Sequence, residues 1–512
     1  MNFINSVQER KISKFFPLIV IFFAGVGFRI YYFPHDLPLV VDSLSYFSYA
    51  TETIFLGHLP TTWTTINNGW PMFLTFWFSI VNLENSLQYM QLQRIVSLSL
   101  SCLTVIPVYF LCRKFFDYKL SLVGASIFIF EPRLILNSLL GITEPLFILL
   151  STISLVLFLR YGKKEIILSF ILVSFCTVIR SEGIFLFLTL TILFFIKYKI
   201  SKEIVKTYLP GLLIFILILV PVMDYRIEVT GTDGIFLRAA QGTTQTISFT
   251  NQDGMTKIFD GVKLFVSYLG WIMIPSFIAF LPFGVIQFFR KRSKDTIFII
   301  PFLIISSIPI FYAYIVQAQD TRYLYVLYPI FCLLSLFAIQ SYISKSNKKN
   351  VIIFLLIIGI LTSSVAFYEY KKIDYEKERE LYEIGKITSE ITSGINHHPA
   401  ESRYIRAAQI PEIWPFVFHD DMYKVKIIPI KGYDNLEKYI ENSKDELTHI
   451  IVDNDPKLPE FLKDVNSNEN NFTYLKKVYN SKDYGFNHQM KIFEIDYKIF
   501  HSIITQETVK LN

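Results

Sequence analysis

Apolar runs alternate with short basic clusters through the first 370 or so residues, and beyond them the pattern stops. An apolar run of about 20 residues crosses a bilayer, and Lys and Arg gather on its cytoplasmic side. Arg10, Lys11 and Lys14 precede the first run, 17–33, which puts the N-terminus inside. No small-residue cleavage site follows that run, so it reads as a retained helix rather than a signal peptide. A polar loop from Pro34 to Trp70 comes next, outside. The run Pro71 to Val81 is too short to span and begins with Pro, which predicts a helix lying in the interface.

Ten further runs then reverse direction in turn: 91–111, 120–138, 144–159, 166–179, 183–196, 208–223, 265–289, 297–316, 323–343 and 351–368. A second long loop, 224–260, lies outside. The clusters at Arg113 and Lys114, at Arg160, Lys163 and Lys164, at Lys197, Lys199 and Lys202, at Arg290 to Lys294, and at Lys345 to Lys349 all fall inside. The pattern therefore predicts a mainly α protein: a polytopic transmembrane bundle of about eleven helices over 1–370, with the remainder of the chain outside the cell membrane.

Residues 371–512 read as water-soluble protein. A charged helical stretch runs to about Ile391. Strand-like runs follow at 426–430, 449–452, 474–478 and 491–495, with helical patterns at 435–443 and 458–465. That alternation predicts a small extracytoplasmic α/β domain. Its sequon, Asn471-Phe472-Thr473, would be accessible only outside.

Composition agrees with this division. Of 512 residues 52% are hydrophobic and only 18% charged, with a mean hydropathy of +0.41. The net charge of +6 lies in clusters between apolar runs, a membrane pattern rather than a nucleic-acid patch. Cys102, Cys112, Cys176 and Cys332 sit in or beside apolar runs and imply no disulfide framework.

Ionisable residues at membrane depth are costly and usually line cavities. Asp42, Glu144, Arg180, Glu182, Asp320 and Arg322 all map to the outer side. Each also has a plainer role open to it. Asp42 suits a helix cap, and Glu144 suits the first turn of a helix. Arg180 and Glu182 can pair across their turn, Arg322 can snorkel to the interface, and Asp320 can be a solvated loop charge. Tyr46, Tyr49, Trp63 and Trp70 fit sugar binding and an interfacial position alike. His35 and His58 have no spaced partner ligands, so no metal motif is read from them.

The order of these features resembles the C-type glycosyltransferase superfold, in particular the protein O-mannosyltransferase and lipid A aminoarabinose transferase group. Four local matches carry it: Asp42-Ser43-Leu44-Ser45-Tyr46 with Ala50 and Gly57; Gly69-Trp70-Pro71 with Gln93-Arg94-Ile95; Pro221 to Arg226 with Gly231; and Asp320-Thr321-Arg322-Tyr323-Leu324 with Pro329. Ser43 stands where the family often has a second acid, Met223 and Asp224 depart from the third pattern, and the tail lacks the Trp-Trp-Asp motif of the oligosaccharyltransferase branch. The resemblance implies transfer of a sugar from a polyprenyl- or dolichyl-phosphate donor to an acceptor hydroxyl, by one inverting displacement. Asp42 would be the general base and Arg322 the phosphate ligand, with Glu144, Arg180, Glu182 and Tyr323 lining the substrate cavity. It leaves open the sugar, the acceptor and whether a divalent metal ion serves as cofactor. A transporter or flippase of lipid-linked glycans would instead show symmetric halves with broken helices near the midplane, and the sequence carries neither repeats nor midplane charges. A non-catalytic assembly or sensor protein would lack a saturable pocket.

The topology is open to a direct check. Cysteines introduced at Ser467 and at Ser293 should be labelled from opposite sides of the membrane. Labelling of both from one side would overturn the orientation, and with it the common side of the six polar residues.

Overall fold

The computed structural model describes residues 2–40, 42–61, 67–199, 202, 204–231, 233, 252–290, 294–373, 375–392, 406–407, 433–444, 447–454 and 458–511. The chain divides into two compact units. One comprises Met1–Phe33, Ser45–Glu84 and Gln88–Ile373; the other comprises Pro34–Leu44, Asn85–Leu87 and Asp374–Asn512.

Helices α1 (Asn2–Tyr31), α2 (Asp42–Leu56), α3 (Gly69–Ile80), α4 (Ser86–Leu103), α5 (Val105–Arg113), α6 (Tyr118–Ile129), α7 (Pro132–Leu139) and α8 (Glu144–Phe158) come first. They are followed by α9 (Lys163–Ile179), α10 (Gly183–Tyr198), α11 (Leu209–Thr230), α12 (Gln252–Met273), α13 (Leu281–Arg290), α14 (Lys294–Ile315), α15 (Tyr328–Ile343) and α16 (Lys349–Lys371). The apolar runs read from the sequence fall mainly in these helices, the run 323–343 beginning in a 3₁₀ segment, Thr321–Leu327. Among the described residues five stretches are long and apolar enough to cross a bilayer: Ser86–Arg113, Ile204–Val229, Thr296–Ile315, Thr321–Ile343 and Lys349–Lys371. The pair α6 and α7, bent by 50°, makes a sixth; α8 and α10 are apolar but shorter.

Three details differ from the sequence reading. The single span expected over 265–289 is two helices, α12 and α13, because Pro275 has no N–H to continue the ladder. The run 120–138 bends at Pro132, the first residue of α7, for the same reason. The loop expected over 224–260 begins and ends in helix, since α11 continues to Thr230 and α12 starts at Gln252. The short run after Trp70 is helical as expected, and α3 buries Trp70, Leu74 and Phe78 on one face.

A helix that stops inside a membrane leaves carbonyls without their usual donors. Arg29, fully buried in α1, meets this need at the α6–α7 bend. It donates to the Ile129 carbonyl at 2.9 Å, to Ser138 Oγ and Ser101 Oγ, both at 3.2 Å, and to its own helix at Gly25 O. One guanidinium thus joins α1, α4, α6 and α7.

The second unit contains α17 (Glu376–Thr392), β1 (Arg406–Ala407), α18 (Leu436–Asn442), β2 (Leu447–Asp453), α19 (Glu460–Ser467), β3 (Leu475–Asn480), β4 (Met490–Ile495) and α20 (Tyr497–Leu511). The sheet order is β1-β2-β4-β3, with β1 parallel to β2 and the other pairs antiparallel. Side chains alternate along a strand, so Ile450 and Val452 pack with Tyr439, Leu462 and Phe493, whereas Ile451 packs with Ile384, Tyr479 and Ile492. Both faces of β2 are covered, which explains its unbroken apolar stretch. Pairing of β3 with β4 is interrupted by a bulge between Lys477 and Tyr479. The strand expected over 426–430 lies outside the described residues. Asn471 of the sequon is exposed at the end of a 3₁₀ turn.

Arg29 gives the test of the bend. Arg29→Leu orphans the Ile129 carbonyl, and one such buried group costs about 1–3 kcal/mol. We expect a clear fall in the melting temperature of the detergent-solubilised protein, partly restored in Arg29→Lys. Unchanged melting of Arg29→Leu would mean that other contacts hold the bend.

Candidate active site

The first unit holds a small, partly open cavity of about 30 Å³. Its polar lining is Glu144, Arg180, Glu182, Ser306, Arg322 and Tyr323, and its walls are apolar, among them Phe147, Leu186 and Ile310. Four elements supply these groups: the N-terminus of α8, the turn between α9 and α10, helix α14, and the 3₁₀ segment Thr321–Leu327. Five residues singled out in the sequence, all but Asp42 of the set assigned roles there, therefore come together in one place.

Arg180 is the centre of the arrangement. It caps the C-terminus of α9 in an extended conformation, and the Gly183 N–H closes the turn onto its carbonyl at 2.9 Å. Its Nη1 donates to Glu144 Oε1 at 2.6 Å and its Nη2 to Glu182 Oε1 at 2.7 Å. Thr143 Oγ1 accepts from the same Nη1 at 3.3 Å and donates to Glu144 Oε2. The Glu144 side chain is only 9% exposed and that of Arg180 18%, so the pair sits in a poorly screened environment. The Arg180–Glu182 pairing across the turn is present, and Glu144 is drawn into it as a third member.

Arg322 is held differently. Asp320 caps the 3₁₀ segment through the Arg322 N–H at 2.8 Å, and its other carboxylate oxygen accepts from Arg322 Nε. The charge of Asp320 is thus spent on orienting Arg322 beside the cavity. Tyr323, the next residue, stands edge-on to Tyr314 at 6.2 Å.

The other motif residues are fasteners around this cavity. Trp70 Nε1 and Gln93 Nε2 both donate to the Gly141 carbonyl, at 3.2 and 2.7 Å, and Arg94 Nε donates to the Leu139 carbonyl at 3.0 Å. These bonds secure the turn that leads to Glu144, where Gly141 has φ +76°. Gly69 fits because a Cβ there would come within 2.7 Å of Ile179 N, immediately before Arg180. Arg226 donates to Asn68 Oδ1 at 2.7 Å, and Asn68 Nδ2 donates to the Tyr49 hydroxyl at 3.0 Å.

Asp42 is the first residue of α2 and is exposed. Ser43 donates to the Val40 carbonyl at 2.6 Å. Among the described residues no group of three or more His, Cys, Asp or Glu could hold a metal ion. The cavity carboxylates do not fit a divalent ion while Arg180 stands between them.

Besides Arg29, the sequence reading missed the buried polar groups Ser306 and Glu131. Ser306, on α14, lines the cavity with a buried hydroxyl that has no hydrogen-bond partner among the described residues. Glu131, at the α6–α7 bend, is fully buried beside Arg133 at 3.5 Å. Ser306 carries no signal that separates it from other serines in apolar helices. Glu131 could have been found as an acid inside an apolar run next to Pro132.

No family model and no curated protein matches the chain. Solved structures do. The crystal structure of ArnT from Cupriavidus metallidurans bound to undecaprenyl phosphate matches at a TM-score of 0.56 and 10% identity, over 93% of this chain and 98% of that one. The oligosaccharyltransferase of Archaeoglobus fulgidus, in complex with Zn and sulfate, matches at 0.55 and 12% identity, over 85% of this chain and 68% of that one. The same archaeal enzyme, AglB, with an inhibitory peptide and a dolichol-phosphate, also matches at 0.55 and 12% identity, over 86% and 70%. The chain is thus a multi-pass membrane protein with the C-type glycosyltransferase fold.

Proposed function

We propose that the chain is an integral membrane glycosyltransferase that moves a sugar from a polyprenyl- or dolichyl-phosphate donor to an acceptor hydroxyl on the outer face. The observation that carries this reading is one cavity lined by two carboxylates, two guanidinium groups and an unpartnered hydroxyl. Structures of the same fold are bound to undecaprenyl phosphate and to a dolichol-phosphate, which supports the donor class. In this reading the N-terminus is cytoplasmic and residues 371–512 form an extracytoplasmic domain.

The acceptor oxygen bonds to the anomeric carbon as the bond from that carbon to the phosphate oxygen breaks. The electron pair leaves with the phosphate, the hydroxyl proton passes to a carboxylate base, the role that the resemblance gives to Asp42, and the anomeric centre inverts. Arg322 meets the growing charge on the phosphate with a planar fork of donors. Carboxylates have lone pairs beyond those that Arg180 uses, so Glu144 and Glu182 accept from sugar hydroxyls, while Ser306 and Tyr323 complete the contact. With Asp320 counted, three carboxylates stand with the two guanidinium groups, so a donor is selected by hydrogen bonding as well as by charge. At about 30 Å³ the cavity must widen to admit a sugar.

Two substitutions test the roles. Arg322→Lys keeps the charge and loses the fork, so use of the lipid-phosphate donor should weaken in a protein of normal expression. Unchanged donor dependence in Arg322→Ala would remove this residue from the site.

Asp42→Asn keeps the size and much of the capping ability, and loses the capacity to take a proton. Activity should fall by roughly a hundredfold or more, with expression and melting almost unaltered. Near-normal transfer would leave Asp42 as a helix cap and turn the search for the base to Glu144.

A further inference from the structure

Helix α8 carries Glu144 at one end. Its other end, Phe158, lies about 21 Å away at 1.5 Å per residue. Along that far half runs an apolar groove of about 330 Å³ between α5 and α8, lined by Ile106, Phe110, Ile153 and Leu157 and closed at its end by Arg160. The Arg160 guanidinium stacks over the Phe110 ring at 5.9 Å.

Cations converge at this end. Tyr161, which has φ +65°, has Lys197 Nζ at 3.1 Å and Lys114 Nζ at 4.8 Å from its ring centroid. The two ammonium groups are therefore no more than 7.9 Å apart (3.1 plus 4.8), and Arg160 is the residue beside Tyr161. The carboxylates in the neighbouring segments are fewer than the cations. In sequence, the segments 113–119 and 160–165 and position 197 hold the cations Arg113, Lys114, Lys119, Arg160, Lys163, Lys164 and Lys197 and the acids Asp117 and Glu165, and Asp117 caps α6 by accepting from the Leu120 N–H. An apolar trough that ends at a cation cluster matches a molecule with a hydrocarbon chain and an anionic head.

We propose that this groove binds an anionic glycerophospholipid of the cytoplasmic leaflet. One acyl chain lies between α5 and α8, and the headgroup phosphate is held by Arg160, Lys114 and Lys197. Tyr161 supplies the platform that keeps the two lysines together through cation–π contact. The site stands at the opposite end of α8 from the candidate active site and does not depend on the donor reading.

The test is lipid retention by the purified full-length protein in detergent, read by native mass spectrometry after addition of phosphatidylglycerol or phosphatidylcholine. One phosphatidylglycerol should be retained under activation that strips phosphatidylcholine. Arg160→Gln and Lys197→Gln should each lower that retention about fivefold, the share expected of one basic residue near a membrane surface. Ile153→Trp, which fills the groove and leaves the cations in place, should also lower it. Where Ile153→Trp is not monodisperse, Ile106→Phe makes the same test from the α5 wall. Equal retention of both lipids by the unaltered protein, or undiminished phosphatidylglycerol retention in the charge variants, would overturn the proposal.

Discussion

A peptide carbonyl surrounded by hydrocarbon must find its donor inside the protein. In this chain the helices are broken at several points, and at three of the described breaks side chains supply what the ladder lost. Arg29 reaches Ile129 at the α6–α7 bend. Trp70, Gln93 and Arg94 reach the turn between α7 and α8. Arg133 reaches the Ile274 carbonyl where α12 ends. These donors are what permit a bundle of interrupted helices to hold polar groups beside a cavity, because the breaks are where charged side chains enter.

Arg180 applies the same economy to charge. Glu144 and Glu182 both turn towards it, and two like charges that meet at one point repel unless a cation stands between them. With the guanidinium between them both remain acceptors, and the turn between α9 and α10 is tied to the start of α8. The site and the packing of these helices therefore rest on one residue, and its removal would leave two uncompensated acids.

The hydropathy pattern made most of this fold readable, since a membrane span is written in composition and the basic clusters mark its ends. The breaks were less readable. Pro132 and Pro275 signal them, yet the run 265–289 looks continuous by apolarity alone. Glu144, Arg180, Glu182 and Arg322 were found because ionisable residues near a membrane are rare. That Glu144 joins Arg180 from 36 residues away could not be read, since the contact is made by packing. Trp70, Gln93 and Arg226 were visible as parts of motifs, and their work as fasteners of turns was not. Arg29 went unnoticed because a single charge barely lowers the average of an apolar run.

The bulge in β3 has a consequence for the second unit. Among the described strands β3 is an edge, and an edge offers unpaired amides to any other strand that meets it. Lys476, Lys477 and Val478 are exposed along it, and the bulge falls at Val478, so the row of free donors and acceptors is twisted out of line and bordered by two positive charges. Such an edge lets two copies of this unit meet without zipping together.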